Sequence, residues 1–145
     1  MGDFVGGVKI LGKRAKKVLE ENIRKNEKVF FCLKGIFGQV MVALDKRLLI
    51  IKPGFFAGAT FGSRVTSFYY KDITGVEINT GLIFGVIEIC TPSHQGSTEK
   101  DFWSIGNKDP FKISNCLPIE KSKLKYYKPY LEKLQNLIEK CKEKR

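Results

Sequence analysis

Catalysis by side chains needs a nucleophile with a base beside it, two carboxylates of separated acidity, or a bound metal. The 145-residue chain has few such groups. His94 is the only imidazole and sits in the polar string PSHQGST, where a solvated histidine is expected. Cys32, Cys90, Cys116 and Cys141 lie far apart in sequence, with no CxxC pair and no second histidine, so a zinc site is not expected. Asp45, Asp72 and Asp101 fall in turns or at strand starts, where aspartate commonly bonds its own backbone. Gly54, Gly58 and Gly62 are not followed by Lys-Ser or a helix and so make no phosphate-binding loop. The expectation is a protein without catalytic residues, metal or cofactor.

Charge is the other source of chemistry. The net charge of +11 comes from 26 basic and 15 acidic groups. Residues 1–26 carry seven basic and three acidic groups and residues 120–145 nine and four, whereas 27–119 hold ten and eight. The basic character therefore belongs to two flanking segments around a nearly neutral middle. In EKLQNLIEKCKEK the lysines alternate with glutamates, as on a solvated helical face, and no aromatics interleave with them as in a stacking platform. Nucleic acid is not an expected partner.

The elements that must position these groups follow from periodicity. A chain of this length, 43% apolar and 28% charged, is one globular domain and not a disordered or fibrous one. Its apolar runs are too short to span a bilayer, and its start, MGDFVGGVKILGKRAKKV, has no secretory signal, so a cytoplasmic location with reduced thiols is expected. Val8, Leu11, Ala15, Val18, Leu19 and Ile23 have helical spacing among lysines, which predicts an amphipathic helix in residues 1–26. From residue 28 the period shortens to about two, and seven strands are predicted at 28–34, 38–44, 47–52, 64–70, 73–78, 85–91 and 100–105. Asp109-Pro110 reads as a helix start, with FKISNCL as a short helix. A C-terminal helix carries Tyr127, Tyr130, Leu131, Leu134, Leu137, Ile138 and Cys141 on one broad stripe, with Pro129 expected in or near its first turn.

Seven short strands without helical crossovers, closed by one amphipathic helix, predict an antiparallel bent sandwich or barrel. That order resembles the pleckstrin-homology (PH) superfold, to which GRAM domains also belong. Two strings carry the resemblance: VALDKRLLIIKPG is similar to the second-to-third-strand hairpin of short bacterial PH-like domains, and FYYKDITGVEI to their fourth-to-fifth-strand hairpin. The likeness covers residues 27–140, and the PH-like domain is drawn as 27–145. For eukaryotic members it implies a phosphoinositide site built from a lysine on the first strand and a basic pair on the second. Lys34 matches the first element, but GQVMVAL has no cation, so that site is not carried over.

The expected function is a PH-like binding or assembly module. It would work through homo-oligomerisation or protein contacts, the stripe of Val8, Leu11, Ala15, Val18 and Ile23 packing on its own domain or, in an assembly, on a neighbouring copy. The alternative is peripheral attachment to anionic lipid at the inner membrane surface, through the basic helix and an aromatic loop carrying Phe55, Phe56 and Phe61. Lys34, Lys46, Arg47, Lys52 and Arg64 are the candidate anion contacts, with solvated strand ends as their simpler role.

Overall fold

The apolar strings between Val29 and Ile51 become three adjacent antiparallel strands in the computed structural model, which describes residues 5–54, 62–92 and 114–143. They are β2 (Val29–Lys34), β3 (Val40–Leu44) and β4 (Arg47–Pro53). Flanked by β1 (Val5–Gly6) and β5 (Ser63–Tyr69), they form a five-stranded sheet in the order β1-β2-β3-β4-β5. A second antiparallel sheet holds β6 (Gly75–Thr80), β7 (Phe84–Cys90) and β8 (Cys116–Glu120), in sequence order. The described residues also form two α-helices, α1 (Lys13–Asn22) and α2 (Leu124–Glu143), and several single 3-10 turns.

Side chains on alternate strand positions point to opposite faces, and in the first sheet both faces are covered. Phe31, Leu33, Met41, Ala43, Leu48 and Ile50 point inward and join Ile87, Ile89, Leu117 and Ile119 of the second sheet. Tyr127, Leu131, Leu134 and Ile138 of α2 enter the same core. Cys32, Val40, Val42, Leu44, Leu49 and Ile51 point the other way and pack against Leu11 and Leu19 of the leading segment. The result is three layers, with the first sheet in the middle.

The leading segment is less helical than its spacing predicts. Val5 and Gly6 pair with Leu33 and Cys32, and Val8–Ile10 form one tight turn. The α-helix starts only after Gly12, which is extended at φ −70° and ψ 170°. Gly6 holds φ 143°, a conformation that side chains rarely adopt, so the helix cannot extend back through it. FKISNCL is corrected at its end, because Cys116 and Leu117 begin β8 instead of closing a helix. Leu117 and Ile119 alternate into the core, and Pro118 is tolerated because, among the described residues, β8 lies at the edge of its sheet. The strands predicted at 28–91 lie within about two residues of β2 to β7. The one at 100–105 lies outside the described residues, while β1 and β8 were not anticipated.

Pro129 is the sixth residue of α2, just past its first turn. It deprives the carbonyl of Lys125 of its intrahelical donor. Both residues are exposed, so water can take the donor's place.

The two sheets meet closely at Gly35, where a Cβ would come within 2.5 Å of the Pro118 carbonyl oxygen and 2.8 Å of the Leu117 side chain. The residue after β2 must therefore be glycine for β8 to close on it. Gly35→Ala should cost about 1–3 kcal/mol in urea unfolding, as overpacking does when the obstacle is backbone. Leu19 is only 3% exposed. Leu19→Ala should cost about 2–5 kcal/mol if the outer layer unfolds with the sheets. A loss below about 0.5 kcal/mol, within the range of ordinary surface substitutions, would show that it does not.

Candidate functional site

The five candidate anion contacts separate in space. Arg47 is 6% exposed and engaged internally: Nε donates to Glu27 Oε2 at 2.7 Å and Nη2 to Glu27 Oε1 at 2.7 Å. Its Nη2 also reaches the Asn22 carbonyl at 2.8 Å, and Nη1 reaches Ser67 Oγ at 3.2 Å. This fork ties the end of α1 to β4 and β5. The hydrogen bond from Arg47 is the main reason the Glu27 carboxyl lies below its ordinary value, and the same bond raises Arg47.

Lys52 shares the inward parity of Leu48 and Ile50 and is buried, so it is no solvated strand end. Its Nζ donates to Gln39 Oε1 at 2.5 Å and to the Cys116 carbonyl at 2.8 Å, joining the end of β4 to β8. Arg47 and Lys52 are therefore corrected from anion contacts to internal ties. Arg64 is half-buried on β5, opposite Lys52 in register. Phe55, Phe56 and Phe61 lie outside the described residues, as do His94, Asp101 and Trp103.

Of the two packings open to the leading stripe, its own domain or a neighbouring copy, the chain itself supplies the first. Leu11 is buried, and Val8, Ala15, Val18 and Ile23 are half-buried against the outer face of the first sheet.

Lys34 and Lys46 line two different clefts. Lys34 lies with Lys13 and Arg14 in a hollow of about 380 Å³ between the start of α1 and the outer face of β2 to β4. Arg14 Nη2 donates there to the Gly62 carbonyl at 2.9 Å. Lys46 lies at the opposite end of the strands, in a larger cleft of about 690 Å³ lined also by Phe30, Asp45, Tyr69, Lys71, Leu137, Lys140 and Cys141. Phe30, 48% exposed, and Leu137 give this cleft an apolar floor. A hollow of about 280 Å³ adjoins it across Phe30, Leu137 and Lys140 and adds Lys133. Together they make an elongated groove along the last turns of α2, with four ammonium groups and one carboxylate, Asp45, around it.

Spacing along the chain missed this groove because Lys46, Lys71 and Lys140 come from a hairpin turn, a tight turn and a helix end. The available signal was Phe30, a large aromatic beside Phe31 at the start of β2, so that one of the two rings must face away from the core.

Nothing among these groups is arranged as a nucleophile with its base. Burial pushes the Cys32 thiol up to about 11, which keeps it protonated and unreactive at neutral pH. Tyr127 is pushed up to about 12, again mainly by burial, and its hydroxyl donates to the Lys34 carbonyl.

A bent pair of antiparallel sheets closed by a terminal helix, with charged clefts on the outside, defines a PH-like domain, a class whose members serve in general as binding modules. The family model described as "Bacterial PH domain" matches residues 23–101, more than half of the chain, and the protein belongs to that family. A solved structure similar to it is a DUF1696 family protein with a pleckstrin-homology domain from Shewanella loihica PV-4. The two share 16% identity over 88% of this chain and 90% of that one, with a TM-score of 0.47. No curated protein matches. No helix among the described residues is long and apolar enough to cross a membrane.

The Glu27–Arg47 fork makes stability depend on pH. A carboxyl held below its ordinary 4.5 in the folded state stabilises at neutral pH, and that contribution is lost as pH falls through the lowered value. Glu27→Gln should lower the urea midpoint at pH 7 and flatten its decline below about pH 4.5. A parent and variant with the same midpoint at pH 7 would show that the fork does not stabilise the fold.

Proposed function

We propose that the chain is a non-catalytic binding module that docks an acidic, partly apolar segment of a protein partner in the groove along α2. The observation that carries this reading is the groove itself. Phe30 and Leu137 offer an apolar floor, and Lys46, Lys71, Lys133 and Lys140 surround it. An extended peptide with apolar and acidic side chains in alternation complements both features, the apolar residues filling the floor and the carboxylates meeting the rim. A second copy of this chain suits the groove less well, since each copy carries +11. Assembly through the leading stripe would first have to strip Leu11 and Leu19 from the sheet they cover.

One observation favours the lipid alternative. Leu82 and Ile83, 92% and 85% exposed, project from the turn between β6 and β7. Such a tip can enter the boundary region of a bilayer while lysines elsewhere meet anionic headgroups.

Fluorescence anisotropy with a labelled peptide of alternating Glu and Leu separates these readings. Binding should weaken with salt and fall about 10-fold in Lys46→Glu/Lys140→Glu, the effect of two charge reversals of about 0.7 kcal/mol each. Lys16→Glu/Lys17→Glu on α1 alters net charge equally and should leave most of the affinity. Equal losses in both double variants would reduce the effect to overall charge and overturn the groove. Absence of peptide binding, with salt-sensitive sedimentation on phosphatidylserine vesicles that Leu82→Ser/Ile83→Ser abolishes, would establish the lipid reading instead.

A further inference from the structure

The second sheet turns Ile87, Ile89, Leu117 and Ile119 toward the core, so Val86, Glu88, Cys90 and Cys116 occupy its other face. On that face Glu77 of β6 lies directly opposite Glu88 of β7 in register. Like charges at such a cross-strand position destabilise a sheet. Neither carboxylate has an ion-pair partner among the described residues. Glu88 is completely buried, and its Oε2 has no hydrogen-bond partner. Its Oε1 has only a long contact, from Asn79 Nδ2 at 3.5 Å. Cys90, two residues along β7 and so on the same face, brings its Sγ to 3.5 Å from Glu77 Oε2. Donor atoms of Glu77, Glu88 and Cys90 all lie within 4.8 Å of one another.

A buried carboxylate oxygen without a partner, facing a second carboxylate and a thiol, is an arrangement that a cation would relieve. We propose that Glu77, Glu88 and Cys90 bind one divalent ion of the zinc class. The sulfur donor favours a borderline transition metal over calcium or magnesium, which take oxygen ligands. Tetrahedral zinc, with bonds of about 2.0–2.3 Å, places its donors about 3.3–3.7 Å apart, so side-chain rotation of about 1 Å closes the cluster. On binding, the Cys90 thiol releases its proton to solvent as the sulfur–metal bond forms, and both carboxylates coordinate through oxygen. Half-buried Glu77 gives the ion its route in, and water fills the fourth position. The ion would pin β6 to β7, on a different sheet from the groove along α2, so the site stands independently of the peptide reading.

The test uses the full chain stripped with a chelator. Cobalt(II), as a spectroscopic stand-in for zinc, should bind at one equivalent and give the near-ultraviolet thiolate charge-transfer band. Zinc should displace it and raise the melting temperature, as any ligand of the native state does. Cys90→Ser should abolish the band, and Glu88→Gln and Glu77→Gln should each weaken zinc at least ~10-fold, the lower end of what even outer-shell changes cost. Glu88→Gln replaces a buried carboxyl group, one of whose oxygens has no partner, by a neutral amide of the same size, so the metal-free variant should melt no lower than the parent. Absence of a cobalt band in the parent would overturn the site, as would a band that survives Cys90→Ser. A metal-free Glu88→Gln that unfolds more easily than the parent would also overturn it, because the carboxylate would then be held by protein contacts alone.

Discussion

The constraint on which the structure depends is that the central strands of the first sheet, β3 and β4, have no face left for water. Strands β3 and β4 are apolar on both sides, one set of side chains meeting the second sheet and α2 and the other meeting the leading segment. A sheet of that composition cannot stand with one face solvated, because each large apolar side chain returned to water would cost ~1.5–3 kcal/mol. The leading segment must therefore cover it, and α1 has to reach across the strands. The Arg47 fork holds it there at its C-terminal end, on Glu27 and the Asn22 carbonyl. An amphipathic stripe that seemed available to a neighbour is thereby an inner surface of the same chain.

Closure at the far end of the strands depends on a polar contact inside the core. Lys52 is buried where an apolar residue would continue the parity of Leu48 and Ile50, and it spans from β4 to the backbone of β8. A buried ammonium is tolerated only where oxygen acceptors surround it. Gln39 supplies one of them from the entry to β3, and the Cys116 carbonyl another. The same corner requires Gly35, whose missing side chain admits the Pro118 carbonyl. A charge-assisted bond and a steric vacancy thus set how the two sheets meet.

Much of this fold was legible in the chain. Val-, Ile- and Phe-rich strings bounded by turns located β2 to β7, and the Tyr/Leu stripe located α2, because composition and helical repeat can be read locally. The misses share a cause. The apolar runs VMVAL and LLII do not alternate, and that continuity was the sign that a further layer covers them. Inward parity likewise marked Lys52, two residues beyond Ile50, as an interior group. The Arg47–Glu27 pairing and the grouping of Lys46, Lys71 and Lys140 join residues distant in sequence, and no local pattern encodes which charges converge. Glu77 and Glu88 became neighbours only once the β6–β7 register was known, although Glu88 and Cys90 already shared a face by their spacing.

The uneven distribution of charge now has a structural basis. The nearly neutral middle contains charges that serve the fold: Arg47 with Glu27 at the start of β4, and Lys52 near its end. Such groups are unavailable to a partner, because removing either member of a buried pair leaves the other desolvated. The flanking helices bury apolar stripes and leave their lysines outside. On α2 those lysines, Lys133 and Lys140, lie along the one side where Phe30 and Leu137 leave an apolar strip partly open. The turns of the first sheet add Lys46 and Lys71 from across the cleft. A groove therefore forms where the basic helix passes the sheet's hairpin end, apolar along its floor and basic at its rim, and it is this combination that supports the proposed docking of an acidic, partly apolar segment.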